Sequence, residues 1–276
     1  MVETGSADSP EEVAALTAVA VERHCAAAID AAGPSCVAVK PQLACFERLG
    51  APGWSALANV VAAARAAGLL VLADGKRGDV PVTAAAYAQA LVGETPGPFG
   101  TVPGLGADAF TANPLLGRDS LEPLISAAAS AGAGCFLLVR TSNPGAAEVQ
   151  DTGTPPLHER LASIVDELGR SHVGSSGLSS VGAVVGATRP DLLARLRDLM
   201  PHAIFLLPGV GAQGGTVESL AAAFAPHPAA ALVTASRSIV NAWSERGGEP
   251  AVAAAYAASE LRDAAWSASQ VASRAV

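Results

Sequence analysis

The chain has 276 residues, half of them apolar and only 15% charged, with a formal charge of −8. That supports one large α/β domain with a sizeable core. An acidic chain without a basic run is a poor match for nucleic acid, and a small anionic ligand would need a local basic pocket.

In chain order, Asp8-Ser9-Pro10 ahead of Glu11-Glu12 reads as a helix N-terminus, and an Ala-rich helix is expected over 11–32. Strand-like runs follow at 36–40, 69–74, 107–111, 135–140, 182–186, 204–208 and 231–235. Helical stretches are expected between them at 56–67, 82–92, 120–131, 157–168, 191–199 and 217–224, with a last helix at 249–272. Residues 93–106 read as a Gly/Pro-rich loop, and 145–156 and 171–180 as mixed loops. Strict alternation of strand and helix implies a parallel sheet. Seven strands, each followed by a helix, point to a single (β/α)8 TIM-type barrel domain spanning residues 1–276. An eighth strand should precede the first helix, and residues 1–10 do not read as one. The first strand is therefore expected to be missing or atypical, with the chain beginning after the point where that strand would end.

Cys25, Cys36, Cys45 and Cys135 show no metal-type or disulfide-type spacing. Cys36 and Cys135 read as small buried hydrophobes. The five histidines are scattered in polar contexts, and none is expected to be catalytic. There is no signal-peptide pattern and no membrane-length apolar stretch, so a cytoplasmic location is the default expectation.

The most informative segment is Asp74-Gly75-Lys76-Arg77-Gly78-Asp79, which follows directly on Leu69-Leu70-Val71-Leu72-Ala73. Charge at the carboxyl end of a buried strand needs partners, and that end is where barrels place their chemistry. Side chains two apart on a strand share a face, so Asp74 and Lys76 point the same way. Asp79 comes within reach of Lys76 if the chain turns into a helix there. Lys40 ends the preceding strand, and with neighbouring strands about 4.8 Å apart it can reach Asp74. The expected product is an alternating array of Lys40, Asp74, Lys76 and Asp79.

Together with Lys40-Pro41-Gln42, this segment resembles the signature of the orotidine 5′-phosphate decarboxylase family. Further similarity lies in Thr141-Ser142-Asn143-Pro144, Glu148-Val149-Gln150, Val184–Thr188, Pro208–Gly215 and Ser236-Arg237. The pattern is that of the longer-chain bacterial branch and runs in order from about residue 13 to 245. The resemblance implies a homodimeric barrel that needs no cofactor or metal and converts orotidine 5′-phosphate to UMP. It implies that Lys76 protonates the C6 carbanion, that Asp74 sits near the departing carboxylate, and that Lys40 holds Asp74 and touches the ribose. Asp79 and Thr83 would act across the dimer interface. Pro208, Gly209, Gln213, Ser236 and Arg237 would bind the phosphate end, and Ser142 would read the pyrimidine edge.

Three features depart from the family pattern. The ribose-binding Asp that ends the family's first strand has no counterpart, since Asp8 and Asp30 lie in other contexts. Val80-Pro81 replaces Ile-Gly, which the first turn of a helix accepts. Arg118 and Arg140 stand where neutral residues are common. Two alternative readings remain at this level: a magnesium-dependent phosphosugar decarboxylase or synthase of the same barrel group, and a degenerate, non-catalytic UMP-binding barrel.

Overall fold

The computed structural model describes residues 9–274. Ser9 caps the first helix, α1 (Pro10–Ala32): its hydroxyl accepts from Glu12 N at 3.2 Å, with Pro10 in the first turn. The sequence reading of this N-terminus holds from Ser9 onward; the expectation of a missing first strand falls largely on residues 1–8, outside the described residues.

Seven parallel strands form one curled sheet: β1 (Ala38–Val39), β2 (Leu70–Arg77), β5 (Ala109–Ala112), β6 (Gly134–Arg140), β7 (Ser179–Val185), β8 (Ala203–Pro208) and β9 (Ala231–Thr234), in that spatial order. Among the described residues β1 pairs only with β2 and β9 only with β8, so the barrel-type sheet is open between them. The helices α2 (Ala44–Glu47), α3 (Gly50–Ala66), α4 (Pro81–Leu91), α5 (Arg118–Ser130), α6 (Ala147–Gln150), α7 (Leu157–Gly169) and α8 (Leu193–Leu199) occupy the connections. A 3₁₀ helix (Val217–Phe224), short α9 (Arg237–Val240), α10 (Ala242–Arg246) and long α11 (Pro250–Arg274) complete the chain.

Period-two alternation divides each strand between two cores. Val71, Ala73, Phe110, Cys135, Leu137, Val139, Phe205 and Leu207 pack outward against the helices. Leu72, Phe136, Val184 and Leu206 pack with one another inside the curl, with Ala109, Leu138 and Leu232 around them. Residues two further along on the inward face therefore emerge at the carboxyl end of the curl. They are Asp74 and Pro208, whereas an irregularity at the end of β6 sets Arg140 opposite Val185.

Several boundaries differ from expectation: β7 starts at Ser179, ahead of 182, and the short helix α6 lies within 145–156, expected as loop. Helix α3 starts at Gly50, well before 56, because Pro52 is tolerated in a first turn. Residues 93–106, expected as loop, contain a hairpin, β3 (Glu94–Gly97) and β4 (Gly100–Pro103). All eight of its strand residues are exposed, so no apolar alternation marks it. The segment 217–224 is a 3₁₀ helix instead of an α-helix.

Arg197 on α8 locks the helical layer to β8 and the segment beyond it. Its Nη1 donates to the carbonyls of Met200 and Ala203, and its Nη2 to those of Ala223 and Ala230, at 2.7–3.1 Å. The guanidinium lies 3.7 Å from the Phe205 ring centroid. Burial pushes its pKa down to about 10, which still leaves it charged at neutral pH. Arg197→Leu removes donors from four carbonyls while keeping an apolar side chain. Chemical denaturation should show a loss of roughly 2–4 kcal/mol, since buried carbonyls left without donors cost about 1–3 kcal/mol each and removal of the buried charge offsets part of that. A loss under about 1 kcal/mol, the range of ordinary surface changes, would mean that the carbonyls find other partners.

Candidate active site

The candidate site lies at the carboxyl end of the sheet, and its centre is the carboxylate of Asp74. β2 carries an irregularity between Ala73 and Arg77: Ala73 pairs with Phe110 and Arg77 with Ala112, so Asp74, Gly75 and Lys76 stand opposite Thr111 alone. Lys76 takes a left-handed backbone (φ +50°), and its N–H donates to Thr111 Oγ1 at 2.9 Å. Thr111 in turn donates to Asp74 Oδ1 at 2.9 Å. Lys76 Nζ lies 2.6 Å from Oδ1, while Lys40 Nζ at 2.6 Å and Gln42 Nε2 at 3.2 Å approach Oδ2. Each oxygen thus accepts two donors, which fills the capacity of a carboxylate.

Asp74 is buried, whereas the side chains of Lys40 and Lys76 are 20% and 41% exposed. Burial pushes the Asp74 pKa up, but Lys40 and then Lys76 outweigh it and hold the carboxyl below its ordinary range. Both ammonium groups remain in contact with a cavity of about 420 Å³.

That cavity gathers most of the residues expected from the sequence. Lys40, Asp74 and Lys76 stand on one side; Ser142, Pro208, Gly209, Gln213, Ser236 and Arg237 complete the wall. Pro208 ends β8, and Gly209 continues with φ +104°, a conformation that favours glycine. The loop then closes on itself through Gly211 N to Gly215 O and Gly215 N to Gly209 O, both 3.0 Å. Arg237 is exposed, and no carboxylate pairs with it among the described residues.

Asp79 and Thr83 do not line this cavity. Helix α4 starts only at Pro81, so the turn that would bring Asp79 back to Lys76 is absent, and the Asp79 carboxylate instead accepts from Val80 N at 2.7 Å. Asp79 and Thr83 are half-buried, with Val80 (55%) and Val82 (84%) exposed beside them. Asp30 is exposed on α1, and Asp8 lies outside the described residues. Of the two unexplained arginines, Arg118 pairs with Glu167 at 2.5 Å on the surface and Arg140 is buried. His158, His202 and His227 make backbone hydrogen bonds away from the cavity.

Sequence reading missed Thr111 as a site residue. It fell at the end of an expected strand, and its only signal was a polar residue between Phe110 and Ala112 on the strand next to the charged one. Gln42 was noted as part of a motif but not as a donor to Asp74.

Residues 6–248 match the family model described as orotidine 5′-phosphate decarboxylase / HUMPS family. Orotidine 5′-phosphate decarboxylase of Deinococcus radiodurans is 47% identical over 236 residues, covering 85% of this chain and 81% of that protein. The solved structure of Leishmania donovani OMP decarboxylase superposes with a TM-score of 0.71 at 32% identity, covering 92% of this chain and 89% of that one. Leishmania donovani UMP synthase gives 0.73 at 33% identity over 91% of this chain, which spans only 51% of that longer protein. These relatives, with the curled parallel sheet, place the chain among barrel-type carbon–carbon lyases. The chain belongs to the orotidine 5′-phosphate decarboxylase / HUMPS family.

Removing Lys40 tests the electrostatics of the centre. A carboxyl held below its ordinary pKa of about 3.9 adds stability above that pH, and the contribution disappears as pH falls through the depressed value. In Lys40→Ala the effect of burial is opposed by Lys76 alone, so Asp74 should titrate at a higher pH, and the acid loss of stability should start earlier. Carboxyl-carbon NMR titration reads this directly. A midpoint that is unchanged or lower would show that Lys40 does not hold the charge.

Proposed function

We propose that the chain converts orotidine 5′-phosphate to UMP and carbon dioxide, a step of pyrimidine synthesis, in the cytoplasm and with no cofactor. The observation that carries this reading is the Lys40–Asp74–Lys76 cluster on a cavity that is also lined by a glycine-rich loop and by Arg237, which pairs with no carboxylate among the described residues. The substrate is a phosphate dianion with a carboxylate on C6, so it needs cations at both ends. With the phosphate at Gly209, Gln213, Ser236 and Arg237, the base extends toward Lys76 with its edge on Ser142.

Cleavage of the bond from C6 to the carboxylate carbon leaves the electron pair on C6 and releases carbon dioxide. The Lys76 ammonium stabilises that charge and delivers a proton to C6, and a proton from solvent restores the ammonium. Asp74 keeps Lys76 charged and aimed, and Lys40 balances the second oxygen of Asp74 beside the ribose. The left-handed backbone at Lys76, tied to Thr111, fixes where the ammonium sits. A divalent cation at Asp74 is disfavoured because two ammonium groups and two neutral donors already occupy its oxygens. This favours decarboxylation over the magnesium-dependent reading. Asp79 and Thr83 complete the site of a second subunit in a homodimer. Their place outside their own chain's cavity, beside exposed Val80 and Val82, supports that arrangement.

Lys76→Ala should abolish turnover and leave UMP affinity within an order of magnitude, because its role belongs to the transition state. Proton-transfer groups typically contribute about 10²–10⁴-fold, so a variant that keeps a tenth of the rate would refute the assignment. The rate should survive EDTA. A folded wild-type protein that binds UMP without turnover would mean the non-catalytic barrel instead.

Arg237→Ala should lower affinity for orotidine 5′-phosphate by about one to two decades, matching roughly 1.5–3 kcal/mol for a charge-assisted contact. Slow turnover of orotidine, which lacks the phosphate, should be nearly unchanged. Equal losses on both substrates would place Arg237 in support of the fold or the base site.

A further inference from the structure

Arg140 ends β6, where an irregularity in register sets it opposite Val185; its side chain is only 4% exposed and does not line the cavity. Its Nε and Nη2 donate to the two oxygens of Asp151 at 2.8 and 3.1 Å, and its Nη1 donates to Thr141 O at 2.5 Å. The chain between the two ion-pair partners, residues 141–150, forms a loop that this bidentate pair closes at its base. Inside the loop a second tie repeats the closure: Gln150 Oε1 accepts from Thr141 N at 2.8 Å, and Gln150 Nε2 donates to Thr141 Oγ1 at 3.0 Å. His158 Nδ1 donates to Gln150 O at 2.8 Å and lies 3.1 Å from Asp151 Oδ1.

The residues so fixed are Ser142 and Asn143, both on the cavity wall. Ser142 is gripped from the neighbouring strand as well. Its carbonyl accepts from Thr188 Oγ1 at 3.2 Å, and its Cα stands 2.8 Å from where a Cβ on Gly186 would be, so only glycine lets the two backbones meet. Arg189, next to Thr188, donates to Asp151 Oδ2 at 3.1 Å and is itself held by Asp191 at 2.7 Å. Asp151 therefore joins both segments that touch Ser142.

We propose that Arg140 and Asp151 form a positioning clasp that aims Ser142 at the base of the ligand, with Arg189 locking the clasp to the next loop. The clasp rests on the proposed function above, in which Ser142 faces the pyrimidine. It acts through the loop and not by touching ligand, and a bidentate guanidinium–carboxylate pair holds the angle as well as the distance. Fixing a recognition group in advance raises affinity because less ordering remains for binding.

The test is a double-mutant cycle read with two ligands. Asp151→Ala should weaken UMP binding about tenfold and change ribose 5-phosphate binding less than twofold. In a Ser142→Ala background, Asp151→Ala should cost UMP less than a further twofold, because the group it aims is gone. Asp151→Asn, which keeps the shape, should show the same pattern more weakly and serves if the alanine variant does not fold. Equal weakening of both ligands, or full additivity with Ser142→Ala, would overturn the clasp and leave Arg140–Asp151 as a fold element. Wild-type protein that binds UMP no more tightly than ribose 5-phosphate would overturn the base-reading assignment itself, and the clasp with it. Comparing wild type with the variants separates the two failures.

Discussion

A single buried carboxylate organises the upper half of this molecule. Asp74 sits at the end of a strand, where burial alone would favour its neutral form, and Lys40 and then Lys76 hold it charged while four donors in all converge on its two oxygens. The donors come from the β1 end (Lys40 and Gln42), from β2 itself (Lys76) and from β5 (Thr111). Three stretches of chain that are distant in sequence must hold register for that to occur. The parallel pairings Ala38 with Leu70 and Ala73 with Phe110 set that register. The apolar layer of Leu72, Phe136, Val184 and Leu206 below keeps the strand ends level. The apolar core and the charged centre are thus one construction, in which each strand changes from packing to chemistry within two residues.

The acidic character of the whole chain does not conflict with binding a phosphate dianion. Most arginines are consumed by local acids, as in Arg170 with Asp166, Arg189 with Asp191 and Arg195 with Glu159. Arg237 has no such acid among the described residues, and it lines the same cavity as the loop that starts at Gly209. Lys40 and Lys76 outnumber their one carboxylate, so that wall carries a net positive charge. Local imbalance, and not net charge, sets what the cavity attracts.

Much of this was legible in the sequence because it rests on short-range rules. Alternating apolar runs and Ala-rich stretches gave seven strands in their correct order, and the two-residue spacing placed Asp74 and Lys76 on one face. Lys40 reaching Asp74 needed only neighbouring parallel strands. What escaped depends on contacts between segments. Thr111 matters because a bulge in β2 leaves three residues opposite it, and no propensity reports a bulge. Asp79 was given a turn toward Lys76 that the start of α4 at Pro81 does not make. Arg140 ends a strand and Asp151 follows a short helix, so no single element relates them, and only the path of the chain between them makes them neighbours. The exposed hairpin of Glu94–Pro103 escaped for the opposite reason: it buries nothing and so leaves no pattern.

The left-handed backbone at Lys76 has an evolutionary edge. An L-residue there is worse than glycine by roughly 1–2 kcal/mol, so the backbone alone would prefer the one residue that has no side chain. Against that backbone cost stands the contact of the Lys76 ammonium with buried Asp74. A search for hardier variants scored only on melting temperature would weigh those two effects alone, and nothing in the score would register the reaction lost with the ammonium. Thr111, which takes up the displaced N–H, marks how the molecule tolerates carrying lysine there.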